Sequence, residues 1–74
     1  MVRTFLERRL RVAKTHVALD SERVRRQRAL VFRLEQAGRD ATDANRLLEN
    51  FIELQAFDIA EVERLTAELA KLQN

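Results

Sequence analysis

Apolar residues recur along the first half of the chain at alternating steps of four and three. The row consists of Leu6, Leu10, Ala13, Val17, Val24, Val31 and Leu34. This spacing is typical of the seam by which one α-helix packs along another. A second row, Phe5, Val12 and Leu19, lies beside it at intervals of seven, and Leu30 widens the same side. The pattern predicts one long amphipathic helix.

The second half of the chain repeats this pattern. Its apolar side consists of Ala44, Leu48, Phe51, Ile59, Val62, Leu65, Leu69 and Leu72, broadened by Leu47, Ile52 and Leu54. At about 100° per residue, each apolar face spans roughly 160°. When two helices pack together, each covers only a narrow seam of the other. The rest of each apolar face therefore has to contact another helix or another molecule.

One break separates the two patterns, at residues 38–40. Gly38 is the only glycine, and it can adopt the left-handed conformation that ends a helix. Asp40 can accept hydrogen bonds from the first free N–H groups of the next helix. We therefore expect a turn at these residues within one domain over residues 1–74.

Helix one is predicted from about Phe5 to Ala37 and helix two from about Ala41 to Lys71. Thr4 and Glu7 match a capping box, which supports the first of these starts. Asp20–Glu22 could cap a new helix in mid-chain, but no Gly or Pro accompanies it and the apolar spacing continues through it. We favour a continuous first helix.

So short a connection makes the two helices antiparallel neighbours, and the predicted fold is an all-α two-helix hairpin. Two hairpins packed as a four-helix bundle, with coiled-coil packing, would cover the surplus apolar width, so we predict a homodimer. The residues expected in its core and interface are Phe5, Val12, Leu19, Leu30, Val31, Leu48, Phe51, Ile52, Ile59 and Val62. An unidentified protein partner on the same face is the alternative.

Polar residues interrupt both apolar faces at mid-length. They are His16, Asp20, Arg23 and Gln27 in helix one and Gln55 and Asp58 in helix two. Facing residues of this hairpin have numbers that sum to roughly 78, which places Asp20 near Asp58 and Arg23 near Gln55. We interpret these residues as a buried polar layer that fixes register. A metal, ligand or acid–base site formed by His16, Asp20 and Asp58 is the alternative, although the chain has no second histidine.

Composition narrows the class of protein. The 74 residues include no Cys, Pro, Trp or Tyr, which excludes a disulfide scaffold and a Cys-rich zinc module. With 46% apolar and 35% charged residues, the chain is too apolar for a disordered tail. No apolar run approaches the roughly 18 residues of a membrane span. We expect a cytoplasmic, non-enzymatic protein with no cofactor or metal and no membrane contact.

Charge is divided unevenly between the two halves. Residues 1–37 carry ten Lys+Arg and four Asp+Glu, a net of +6, whereas residues 38–74 carry four and eight, a net of −4. The outer side of helix one presents Arg8, Arg11, Arg25, Arg26 and Arg33. These arginines suggest an alternative function, a small RNA- or DNA-binding regulator. We favour a solvated surface balanced by the acidic half.

Part of the sequence resembles a group of short alphaproteobacterial two-helix proteins. The matching positions are His16-Val17-Ala18, Glu22, Arg26-Gln27-Arg28, Val31, Leu34-Glu35, Gly38-Arg39-Asp40, Leu47-Leu48, Phe51 and Gln55. The group has no assigned activity, so the resemblance implies a helical hairpin and no site. Members often carry a histidine at the position of Asp58, and this departure argues against a metal site. We expect a self-associating structural or protein-interaction module.

Overall fold

The computed structural model describes residues 1–73, which form two α-helices and no strand. Helix α1 is Val2–Gln36 and helix α2 is Thr42–Leu72. The two helices pack along each other and form a rod of 57 × 14 × 14 Å. The predicted all-α, two-helix hairpin is therefore confirmed. Asn74, the last residue of the predicted domain, lies outside the described residues.

Helix α1 is continuous, so the mid-chain break at Asp20–Glu22 does not occur. It begins at Val2, three residues before the predicted start, because the Phe5 N–H donates to the Met1 carbonyl at 3.0 Å and closes a first turn there. Thr4 consequently lies inside this turn, and no side chain of residues 1–73 caps the helix. The predicted capping box is wrong, since it requires a non-helical backbone at Thr4.

The turn has the conformation expected of its glycine. Gly38 has a φ of +68°, in the left-handed region. Its N–H donates to the Glu35 carbonyl at 3.0 Å, and the Arg39 N–H donates to the Leu34 carbonyl at 2.9 Å. These two bonds form a Schellman motif, which satisfies carbonyls left free at the end of α1.

Asp40 organises the start of α2, as predicted. Its Oδ1 accepts hydrogen bonds from the Thr42 hydroxyl at 2.6 Å and from the Thr42 N–H at 2.9 Å. The same two bonds lower the pKa of the Asp40 carboxyl. Asp43 lies in the first turn, where its negative charge suits the helix dipole. The helix starts one residue later than predicted, and Ala41 is buried just before it.

The buried seam is small. Six apolar residues are buried within the described part of the chain: Leu6, Ala13, Val24, Val31, Ala41 and Leu65. Leu65 is the most enclosed, at 1% exposure, and clusters with Leu6 and Ala13 at the end of the rod away from the turn. The hairpin therefore has one line of core residues rather than a broad core.

The ten residues predicted for the core or interface divide into three groups. Val31 is buried, and the half-buried ones are Leu30, Leu48, Phe51 and Val62. The exposed ones are Phe5, Val12, Leu19, Ile52 and Ile59. Each exposed residue lies next in sequence to a seam position and is therefore rotated about 100° away from the partner helix. These five do not belong to the hairpin's own core.

Neither helix of residues 1–73 has an apolar stretch long enough to span a bilayer.

Candidate functional site

One side of the hairpin presents a row of exposed apolar residues. They are Phe5, Val12 and Leu19 on α1 and Leu47, Leu54 and Phe57 on α2, and we call them the apolar face. Each one immediately precedes a seam residue. In an antiparallel pair of right-handed helices, the positions that precede the seam point to the same side. Between 42% and 71% of each residue is exposed.

Two open grooves run along the apolar face. The first, of about 490 Å³, lies between Phe5, Val12 and Phe57. The second, of about 430 Å³, has Leu19 and Leu54 among its lining residues. His16 and Asp58 line both grooves, so the two are neighbours along the rod. The result is an elongated apolar depression with polar groups near its middle.

Arg9 links the two helices at the edge of the first groove. Its guanidinium lies 5.7 Å from the centre of the Phe5 ring, and its Nη2 is 3.4 Å from Glu61 Oε1 on α2. A cation over an aromatic ring is attracted to the ring's negative face. Glu61 also pairs with Arg64. These contacts give the charged edge of the face a defined arrangement.

The opposite side of the hairpin is less apolar. Ile52 and Ile59 each follow a seam residue in sequence, so they point away from the apolar face. Phe32 follows the buried Val31 and is also on that side, with 61% of its surface exposed. Phe57 and Phe32 are thus two exposed aromatic residues on opposite sides of the same rod.

The predicted polar layer is present within the seam in part. Asp20 and Gln27 are buried, and the Gln27 amide donates to the Ala44 carbonyl at 2.9 Å across the two helices. The Gln55 amide donates to the Ser21 hydroxyl at 3.0 Å. Gln55 therefore contacts Ser21, whereas the sequence predicted Arg23. Both choices agree with a sum near 78, and the sequence has no further signal that separates them.

His16 and Arg23 are exposed, which corrects their predicted burial. Asp20 and Gln27 repeat at seven residues in line with Leu6 and Ala13, whereas His16 and Arg23 lie one step to the side of that line. The long Arg23 side chain reaches solvent, and its Nη1 approaches Asp20 Oδ1 only to 3.9 Å. The layer inside the seam thus consists of Asp20, Gln27 and the half-buried Gln55 and Asp58.

Asp20 is the most unusual group of the site, with only 3% of its surface exposed. Its pKa is raised, first by burial and then by a hydrogen bond with Asp58 and the charge of that carboxylate, against the opposing charges of Arg23 and His16. Its Oδ2 has no donor within residues 1–73. Two carboxyl groups can share a hydrogen bond only when one carries a proton. Burial and the neighbouring Asp58 therefore favour the protonated form of Asp20.

The alternative metal site is not assembled in the hairpin. Across the part of the chain that the structure describes, no three His, Asp or Glu side chains are placed to hold a metal ion together. His16, Asp20 and Asp58 line one groove but do not form such a group.

Of the five arginines proposed for nucleic-acid contact, two form ion pairs with a carboxylate of residues 1–73 and three do not. Arg25 and Arg26 both bond to Glu22, at 2.6 and 2.9 Å. Arg8, Arg11 and Arg33 make no ion pair with any residue of the described chain. Glu22, which was not among the predicted site residues, neutralises part of this surface. The four-residue spacing of Glu22 and Arg26 was the available signal.

Comparison with known proteins adds no assignment. No protein-family model, curated protein or solved structure matches this chain. A function for the chain therefore rests on the geometry of its apolar face, its polar layer and its charges.

Proposed function

We propose that this protein is a non-enzymatic, self-associating helical hairpin that acts as a structural or protein-interaction module. The observation that carries the proposal is the apolar face, with six large apolar residues exposed on one side of the rod. Soluble monomers rarely expose continuous apolar patches larger than a few hundred Å². A second copy of the chain, packed face to face as a four-helix bundle, would cover it.

The size of the face fits a stable interface. One long side of the 57 × 14 Å rod presents about 800 Å², close to the area that each partner contributes to an interface of standard size. The face also has the required composition, because Phe5, Leu19 and Phe57 supply large apolar anchors along its length while Arg9 and Glu61 lie at its edge.

The small core supports the same proposal. A single hairpin of this length buries six apolar residues among those described and has no cysteine for a disulfide. Domains below about 80 residues commonly gain stability by oligomerisation. The likeness to the alphaproteobacterial two-helix proteins belongs to this proposal, since a hairpin is what that likeness implies.

Size-exclusion chromatography with light scattering tests self-association. We expect twice the mass of 8.7 kDa at micromolar concentration for the wild type, and the monomer mass for Phe57→Glu, which places a charge on the apolar face. Phe32→Glu is the matched control, because it makes the same change at a similarly exposed position on the opposite side, and it should remain dimeric. A well-folded wild-type monomer would overturn the proposal, as would equal masses for the two variants.

The alternative function, nucleic-acid binding, is tested by a separate binding experiment. Binding to nucleic acid by the outer arginines predicts a complex with a labelled DNA duplex or RNA hairpin at low salt, lost steeply as salt rises. The structure lends this less support, because Glu22 pairs with Arg25 and Arg26. A monomer that binds nucleic acid in this way would replace self-association as the proposed function.

A further inference from the structure

We propose that two copies of the hairpin pack with both turns at the same end of the bundle, so that each α1 lies against the partner's α2. This inference rests on the self-association proposed above and concerns its geometry. Two symmetric arrangements bring the apolar faces together. In the second, the hairpins are reversed, so that α1 lies against α1 and α2 against α2. Neighbouring helices are antiparallel in both, so helix dipoles do not distinguish them.

The same-end arrangement has a symmetry axis parallel to the helices, and each residue stays at its own level along the rod. Two contacts within the hairpin fix which residues of α1 and α2 lie at the same height along the rod. They join Asp20 to Asp58 and Ser21 to Gln55. Residues on the apolar side whose numbers sum to roughly 77 then meet across the interface. Leu19 faces the partner's Phe57, and Leu30 faces the partner's Leu47.

Charged residues also match in this arrangement. By the same level rule, Arg9 faces the partner's Glu68 and His16 faces the partner's Glu61. The α1 side of the interface carries Arg9, Arg23, Arg26 and Arg33 and no carboxylate among the described residues. The α2 side carries Asp43, Glu61 and Glu68 beside Arg64 and Lys71, and Arg64 pairs with both glutamates. Pairing α1 with the partner's α2 therefore places the basic side against the one that holds carboxylates, which favours correct association.

The reversed arrangement lacks this match. When two reversed hairpins overlap along their whole length, α1 of one copy lies antiparallel to α1 of the partner. Residues of the two α1 helices then face each other when their numbers sum to roughly 39. His16 then faces the partner's Arg23, and Val12 faces the partner's Arg26. Within residues 1–73, no carboxylate of the α1 side is available to pair with Arg23 or Arg26, and an apolar side chain is covered by an arginine; both oppose association. Charge thus selects the same-end arrangement.

Distances between spin labels test the arrangement directly. The chain has no cysteine, so Arg39→Cys at the turn provides a single labelling site. The same-end arrangement predicts a label-to-label distance of about 15–30 Å, given helices packed 8–10 Å apart. The reversed arrangement places the turns at opposite ends of a 57 Å rod, and predicts about 50 Å.

Ala18→Cys is the matched control, because it lies near mid-length on α1 and gives a short distance in either arrangement. A short distance from both labels supports the proposal. A short distance from Ala18→Cys with a long one from Arg39→Cys overturns the arrangement and leaves self-association standing. No dipolar coupling from either label at a concentration well above that of the mass measurement overturns both.

Discussion

At the scale of single residues, Asp20 shows how the seam differs from an ordinary apolar one. A leucine at its position would continue the line of Leu6 and Ala13, and the carboxyl instead meets Asp58 across the seam. Register is the property that such a pair controls, because a shift by one turn would replace the facing Asp58 by Gln55 or Val62 at the seam.

The raised pKa of Asp20 predicts how its replacement depends on pH. In the folded chain the carboxyl holds its proton above the ordinary pKa of 3.8, so its contribution to stability is complete below that value and is lost as pH rises through the folded pKa. Asp20→Asn supplies a permanent donor to Asp58. We expect the variant to be more stable than the wild type at pH 7, by on the order of 1 kcal/mol, and the difference to shrink toward pH 4.

Urea unfolding at pH 7 and pH 4 measures this difference. Glu53→Gln, an exposed change in the middle of α2, serves as the control and should behave like the wild type at both pH values. A destabilised Asp20→Asn variant at pH 7, or a difference that does not vary with pH, would contradict the raised pKa of Asp20.

At the scale of elements, the turn depends on one backbone conformation. Apart from its two chain neighbours, no described residue has an atom within 4 Å of a Cβ at Gly38, so replacing this residue changes the backbone energy and no packing contact. We expect Gly38→Ala to lower the free energy of unfolding by about 1–2 kcal/mol, because alanine is strained at a φ of +68°. Gly38→Asn should cost less, since asparagine tolerates this region. Thermal or urea unfolding of both variants measures the order, and equal losses would show that another factor dominates.

The sequence predicts the turn well and the helix faces less well, for physical reasons. Gly38 and Asp40 act through their own backbone and nearest N–H groups, so local sequence is sufficient. The start of α1 was predicted wrongly from Thr4, because a capping-box pattern does not show whether the residues before it are also helical. His16 and Arg23 are placed one step from the line of Asp20, and a helical angle estimated from sequence does not distinguish the edge of a wide apolar face from its centre.

At the scale of the whole molecule, proposed association and folding are coupled. If the apolar face is covered by a second copy, unfolding exposes the interface and the melting temperature depends on protein concentration. We expect the wild type to gain about 3–5 °C for each tenfold increase in concentration. Phe57→Glu should melt at the same temperature at all concentrations. Circular dichroism melts over a hundredfold range provide the measurement, and a wild-type melting temperature independent of concentration would contradict the coupling.

The position of the most enclosed cluster has a consequence for how the chain folds. Leu6 and Leu65 are 59 positions apart in sequence and meet at the end of the rod opposite Gly38. If the two helices pair first near the turn and then toward the termini, many backbone angles are fixed before Leu6 and Leu65 meet. The chain therefore loses conformational entropy before it gains its most complete burial. Partly folded hairpins, in which the helices are paired only near the turn, are therefore high in free energy. The cluster of Leu6, Ala13 and Leu65 holds the helix ends together at the end of the rod opposite the turn. It therefore favours all-or-none folding over gradual fraying from the termini.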